Sequence, residues 1–490
     1  MKCINAKIHQ IIDKGLKLYM MKNTNKLALK AGGWYIISNF LLKGIAIFTT
    51  PIFTRLLSPN DFGVTNTYTS WLGIMTIIGT LDIYSCVQIA RHDYSDEEIN
   101  SFLSSILTLS TVSVILLYIL IKLLGSTAID LIGLPSGLVD IMFLEVLFTN
   151  AFTIMQTKQR AYLKYKQFVI FSALIAVLSP LFSIILINLQ ESELYYGKII
   201  GNAIPRLIVS IFIYIYIIKK GKSFVNLDHW KYALLISVPL IPHHLAGNIL
   251  NHFDKIMINK YAGSADTGLY SLGYSYALIL SVAWTSFNQA WVPWFYSKMK
   301  EENISDIKKF VKPYTILFTM IFIFMIVIGP EAIKVFGPKE YWSSRWVIPP
   351  VLLGIFFQFM YSLFVNIEFY MKKTQFIAIG TILAAVLNFG LNFFFIPRFG
   401  YISAAYTTLA GYLLLFILHY LISKKWLNED IYNEKFLFSW TLSICAITSL
   451  IIIFYENITI RYGIAIILYV FLFSKYRKYL KDLILNARRR

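Results

Sequence analysis

The sequence predicts an all-α polytopic membrane protein of about fourteen transmembrane helices, built as two six-helix lobes related by internal pseudo-symmetry plus a C-terminal helix pair. Three observations carry this. The chain of 490 residues is 57% hydrophobic and only 14% charged, with a mean hydropathy of +0.63. A soluble protein of that size cannot hide so much apolar surface from water. The apolar residues gather in long runs, most of them beyond the roughly 17–20 residues that cross a bilayer. A row of polar residues inside the first run also returns, 205 residues later, inside another.

The runs cover residues 33–57, 66–90, 101–124, 137–157, 167–189, 196–218, 231–259, 268–296, 310–329, 345–370, 374–396, 401–423, 436–455 and 459–475. Lysine and arginine set their orientation. With the N-terminus inside, 33 of the 45 Lys and Arg fall in inner segments and 9 in outer ones, Lys198 among the latter. Basic segments stay on the cytoplasmic side, so both termini are expected there. The formal charge of +19 therefore does not point to nucleic acid, because most of it sits in short segments between apolar runs. Cys3, Cys86 and Cys445 form no metal-ligand or redox pattern, and no cofactor is implied.

Residues 1–30 read as a basic cytoplasmic leader rather than a signal peptide, since no apolar core or small-residue cleavage site follows. Ile4, Ile8, Ile11 and Ile12 share a helical face beside Lys7, Lys14 and Lys17. That pattern suits an interfacial helix on the anionic inner leaflet; the alternatives are a disordered basic leader, or an upstream start codon with true initiation at Met20 or Met21. The N-terminal lobe spans 31–218, a linker 219–230, the C-terminal lobe 231–423, helices 13 and 14 residues 424–475, and a basic tail 476–490.

In the first run Asn39, Lys43, Thr50 and Thr54 follow one another at helical spacing and line one face. His244, Asn248, Lys255 and Asn259 repeat that register. The same offset sets Arg55-Leu-Leu-Ser-Pro-Asn-Asp61-Phe-Gly63 on Lys260-Tyr-Ala-Gly-Ser-Ala-Asp266-Thr-Gly268, in equivalent outer loops. Six spans per half make the repeats parallel, related by an axis along the membrane normal. The equal register predicts that helices 1 and 7 face each other across the lobes.

The segment Pro51 to Gly63, followed by Leu81-Asp82 ahead of Arg91, resembles the polysaccharide-unit flippases of the multidrug/oligosaccharidyl-lipid/polysaccharide exporter superfamily. Asp254-Lys255-Ile-Met-Ile-Asn259, followed by Gly268-Leu-Tyr270, is similar to that family's seventh-to-eighth helix signature. The resemblance runs across roughly residues 25–425. It implies a flippase in the bacterial cytoplasmic membrane that moves a polyprenyl-diphosphate-linked glycan for O-antigen, capsule or related polymers. Membrane lipids and other polysaccharide-assembly membrane proteins are the implied partners. The related lipid II flippases look arginine-rich in their cavity; Lys43 and Arg206 here favour the polysaccharide branch.

Such a substrate asks for cations to meet its phosphates and for amides or hydroxyls to meet its sugars. Lys43, about 15 Å from the inner end of its helix, and Arg206, beside Pro205 in helix 6, are the mid-depth candidates, with Asn39, His244 and Asn248 as polar neighbours. Arg206 either meets substrate or pairs with Glu145 of helix 4. Lys255 lies nearer the outer end, where it contacts substrate, snorkels, or pairs with Asp254. Asp82 is a partner for Lys43 or a proton or sodium site, and Asp82 and Glu145 are the ion-coupling candidates. Glu368, near an inner end, reads as an interfacial charge. His243, His244 and His252 are too widely spaced or divergent for one metal ion. Trp284, Trp291, Trp294 and Tyr296 form either a sugar-stacking surface or an outward aromatic belt.

Two other classes compete. A multidrug or cation exporter of the same superfamily would favour acidic cavity residues. A membrane polysaccharide polymerase would need catalytic groups on a sizeable outer loop, and the longest here, 330–344, carries no such grouping. The chain therefore reads as a transporter without a catalytic site.

Overall fold

In a computed structural model, which describes residues 44–45, 47–162, 164–426 and 430–488, the chain is helical throughout, with no strand among those residues. Helix α1 is described over 47–56. It is followed by α2 (Pro59–Gly79), α3 (Val87–Asp93), α4 (Glu98–Leu124), α5 (Ser126–Ile132), α6 (Ser136–Ala161), α7 (Tyr165–Asn188) and α8 (Leu194–Gly221). The second half holds α9 (Leu227–Ser237), α10 (Ile241–Tyr261), α11 (Ser264–Lys300), α12 (Ile304–Phe336), α13 (Ile348–Tyr370), α14 (Thr374–Phe399) and α15 (Tyr401–Leu421). An appended pair, α16 (Glu434–Ile453) and α17 (Ile458–Arg488), closes the chain.

Among the described residues eleven helical segments are long and apolar enough to cross a membrane, and α2 with α3 makes a twelfth if that bent pair is one span. The 37-residue α11 is long enough to cross but falls outside that set. The protein is thus a multi-pass membrane protein. Span 2 is not one straight helix: α2 and the segment Ile83–Asp93 meet at 59°. Leu81 (φ 55°) and Asp82 (φ 51°) take the left-handed conformation between them, a costly choice for residues other than glycine. The Asp82 carboxylate accepts the Ser85 hydroxyl at 2.6 Å, which offsets part of that cost. Span 7 is also jointed, by a 3-10 turn at Val238–Leu240 between α9 and α10. Pro239 and Pro242 there withhold the N–H groups that would continue the ladder.

Packing differs between the halves. The first is held by an outer cluster around Tyr68, Trp71, Met142 and Val146 and an inner one around Phe102, Ile106, Ala151 and Ile154. The second has one large core centred on α13. The span containing α13 is 89% buried, against 17% for the span in α17, which sits at the periphery. Arg461 of α17 pins the appended helix pair by pairing with Glu331 of α12 at 2.5 Å.

The two halves meet on their outer side through equivalent positions. Gly63 of α2 packs against the Ser264 carbonyl, and Gly268 of α11 packs against the Pro59 carbonyl, so closely that a methyl at either would overlap that backbone. Reciprocal contact between residues 205 positions apart is what a two-fold axis requires. Satellite bonds obey the same symmetry: the Thr54 hydroxyl donates to the Phe336 carbonyl, and Asn259, its repeat equivalent, donates to the Gly133 carbonyl at 2.9 Å.

The expectation that helices 1 and 7 face one another falls partly outside the described residues, which leave out Asn39 and Lys43; the described part of helix 1 and helix 7 meet other helices. The polar row of α10 runs along α2: His244 meets Asp82 at 2.7 Å, Asn248 lies against Gly73, and Lys255 reaches Asn66 at 3.4 Å. In α1, Thr50 lines a cavity together with Ser275 of α11. Helix 7 thus faces helix 2 while helix 1 faces helix 8, the exchange that a two-fold produces.

Candidate functional site

A cavity of about 440 Å³ is lined from α1, α6, α7 and α8, with Thr49, Gln156, Ser172, Ser179, Lys198, Asn202 and Arg206 as its polar groups. A second space of about 240 Å³ adjoins it around Thr49, Phe53, Lys198 and Asn202, and adds Thr65, Asn66 and Thr69 of α2. Through Thr50 and Ser275 this leads to a third pocket of about 170 Å³ against α11. The hydroxyl- and amide-lined space therefore runs from inside the first half to its boundary with the second.

Helix α8 supplies the charges. Lys198, Asn202 and Arg206 fall four residues apart on one face, so the two cations stand about 12 Å apart along the axis with an amide between them. The Arg206 guanidinium donates to Glu145 at 2.7 Å, and the Tyr68 hydroxyl donates to the other Glu145 oxygen at 3.0 Å. Glu145 is 2% exposed and Arg206 34%. The predicted tie between Arg206 and Glu145 is formed, and Arg206 still shows a face to the cavity. A buried carboxylate without that partner would be costly, so Arg206 also has a structural role.

Lys198 is a correction. Assigned from sequence to an outer segment, it lies one turn inside α8, because that helix begins at Leu194. It lines both adjoining spaces. Its ammonium sits 2.9 Å from the centroid of the Phe53 ring, and no carboxylate among the described residues lies within ion-pair distance. A cation held over a ring face rather than by an acid remains available to an incoming anion. The sequence signal that could have found it is the spacing of four to Asn202 and eight to Arg206.

The other candidates sort as follows. Lys43 and Asn39 lie outside the described residues. Lys255 is 8% exposed, so it is not a snorkelling rim residue; it reaches Asn66 of α2 and stands 5.5 Å from the Tyr274 ring. Nor does its neighbour Asp254 pair with it. That carboxylate, 1% exposed, turns into the second half, where Tyr270, Thr408 and Asn392 donate to it at 2.7, 2.5 and 2.6 Å. Asp82 is fully buried and bonds Nδ1 of His244, which is 34% exposed. Asn248 donates to the His244 carbonyl at 3.3 Å.

One further expectation fails because of the depth of the second core. Glu368 is not an interfacial charge: it is wholly buried and bonds His419 at 2.7 Å. Of the four α11 aromatics, Trp291 is buried, while Trp284, Trp294 and Tyr296 pack on the second core and stay partly exposed. Trp291 stacks on Tyr314 at 4.3 Å, Trp294 packs on Phe310, and the Trp284 N–H meets Ser362 at 3.3 Å. Among the described residues no group of three or more His, Cys, Asp or Glu could hold a metal ion.

Known proteins share this architecture. The structure is similar to that of the lipid II flippase MurJ in an inward closed conformation, with a TM-score of 0.67 at 18% identity over 91% of this chain and 99% of that one. It is also similar to an inward-facing multidrug resistance transporter of the MATE family, with a TM-score of 0.59 at 13% identity over 79% of this chain and 94% of that one. In sequence it is 21% identical over 363 residues to a Haemophilus influenzae protein named for the Lsg locus, covering 72% of this chain and 87% of that protein. The model of one family, described as polysaccharide biosynthesis protein, matches residues 28–300, more than half of the chain. The chain belongs to that family of polysaccharide biosynthesis proteins.

Proposed function

We propose that the protein is a flippase for polyprenyl-diphosphate-linked oligosaccharide, carrying it across the bacterial cytoplasmic membrane for surface-polysaccharide assembly by alternating access. The observation that carries this reading is the α8 ladder of Lys198, Asn202 and Arg206 along a cavity otherwise lined by hydroxyls and amides. A diphosphate needs charge-assisted donors when it leaves water, and sugar hydroxyls need small polar partners at low energetic cost. The prenyl tail can remain in lipid. Lys43 and Asn39 of helix 1 are proposed to extend the ladder, and Asp82 with His244 to couple the two halves. The distribution of Lys and Arg supports cytoplasmic termini.

Rocking of the two halves about the site requires that their contacts can separate. The outer seam joins the halves through close glycine contacts, the Thr54 and Asn259 hydrogen bonds, and Phe53, Leu57 and Phe62 packed into the second half's core, so these are the contacts that rocking has to part. A cation exporter fits this cavity less well, because no acid among the described residues lines it, and the neighbouring Glu145 is buried and held by Arg206 and Tyr68. A polymerase reading finds no support in the chemistry of the site.

The test is Lys198→Gln in cells lacking the chromosomal gene, with surface polymer read by gel and membrane abundance by immunoblot. Polymer display is expected to fall at least tenfold at unchanged abundance, with partial recovery in Lys198→Arg. Full display from Lys198→Gln would remove Lys198 from the proposed anion path.

A further inference from the structure

A second cavity, of about 430 Å³, lies at the other end of the first half, among the ends of α4, α6 and α8 that the charge distribution assigns to the cytoplasm. It shares no lining residue with the α8 ladder cavity. Lys158 of α6, Lys164 of the following turn and Lys220 of α8 converge on it. Their like charges repel at Lys158, where Asp96 is the one opposing attraction.

None of the three has a carboxylate within ion-pair distance among the described residues. Lys158 donates to the Asn100 amide oxygen at 2.8 Å and Lys220 to the Tyr216 hydroxyl at 3.1 Å, while Lys164 sits 5.8 Å from the Tyr162 ring centroid. The Asp96 carboxylate on the rim accepts instead from the Tyr162 hydroxyl at 2.8 Å. Three ammonium groups held only by neutral partners around an open cavity leave a net positive well that a bound anion would neutralise.

Position and lining favour one source of that anion. Tyr162 and Tyr216 flank the cavity where a span ends, the depth at which amphipathic rings settle among headgroups. Ile99 and Met155 give it an apolar floor, which a free phosphate would not need. We propose that this cavity binds the phosphate headgroup of an anionic inner-leaflet phospholipid, with Lys158, Lys164 and Lys220 as its cationic ligands. Basic pockets between membrane helices on the cytoplasmic side suit such headgroups. The inference is independent of the flippase reading, because it involves neither the ladder nor the outer seam.

The experiment uses the purified full-length protein in detergent, with retained lipid counted by native mass spectrometry. Lys164 and Lys220 are exposed, so Lys164→Gln with Lys220→Gln should fold normally. The control, Lys372→Gln with Lys373→Gln, removes the same charge from an exposed segment of the second half. Phosphatidylglycerol binding should weaken roughly thirtyfold in the first pair, about fivefold for each lysine, and stay unchanged in the control. Lys164→Arg with Lys220→Arg should retain it. Equal binding by both glutamine pairs, or retention of phosphatidylcholine as strong as that of phosphatidylglycerol, would overturn the proposal. Displacement of the lipid by millimolar inorganic phosphate would assign the cavity to a soluble phosphate and overturn the lipid assignment.

Discussion

The two halves share a fold plan but handle polar residues in opposite ways. In the first half Lys198, Asn202 and Arg206 face open space, and Arg206 keeps 34% of its side chain exposed. In the second half the comparable groups are sealed against one another. Asp254 takes donors from three helices, and Asn392 bonds Asn388 at 3.1 Å. One half thus keeps cationic side chains along an open cavity, while the other packs its polar groups into a buried scaffold. Buried polar networks are stable only when every member is satisfied, whereas a transport site must leave donors unsatisfied until its cargo arrives.

The difference can be broken most severely at Asp254. Asp254→Ala strands the donors of Tyr270, Thr408 and Asn392, at about 1–3 kcal/mol for each buried group left unpaired. Thermal unfolding in detergent should show a loss of several kcal/mol, large enough to deplete the protein from membranes. A shift below about 1 kcal/mol would show that this network is not the scaffold described.

Arg206 should behave as an intermediate. Arg206→Gln leaves Glu145 buried beside Tyr68 and should cost about 2 kcal/mol, less than for a fully buried pair because of its partial exposure. Adding Glu145→Gln should restore most of the stability without restoring polymer display. Recovery of display in the double variant would reduce Arg206 to a structural tie.

The seam between the halves gives a smaller effect on stability and a larger one on shape. Gly63→Leu drives a side chain into the Ser264 carbonyl and should shift the population toward an outer face that is open. A cysteine placed at Ser264 should then react faster with an impermeant thiol reagent. Unchanged labelling would mean that the seam does not control access.

Much of the fold was legible in the sequence because its signals are local. Apolar runs and a polar row repeated 205 residues apart mark membrane-spanning helices and an internal repeat without knowledge of contacts. What could not be read depends on neighbours. Asp254 and Glu368 look like charges near span ends until their partners on other helices are known. The bend at Leu81 and Asp82 carries no glycine or proline to announce it. Lys198 was counted with the outer basic residues although the apolar run 196–218 contains it, and α8, which begins at Leu194, carries it one turn inside the helix. The polar row of helix 7 was visible, but its true neighbour, helix 2, is fixed by the two-fold.

The central claim is that the α8 ladder receives a diphosphate. The most direct measurement is binding of undecaprenyl diphosphate and of the uncharged undecaprenol to purified wild-type protein and to Lys198→Gln, with thermal stability recorded for both. The account predicts that wild type prefers the diphosphate, that Lys198→Gln loses most of this preference, and that its stability changes by no more than about 1 kcal/mol, the scale of one cation–π contact. Equal preference for the diphosphate in both proteins would contradict it.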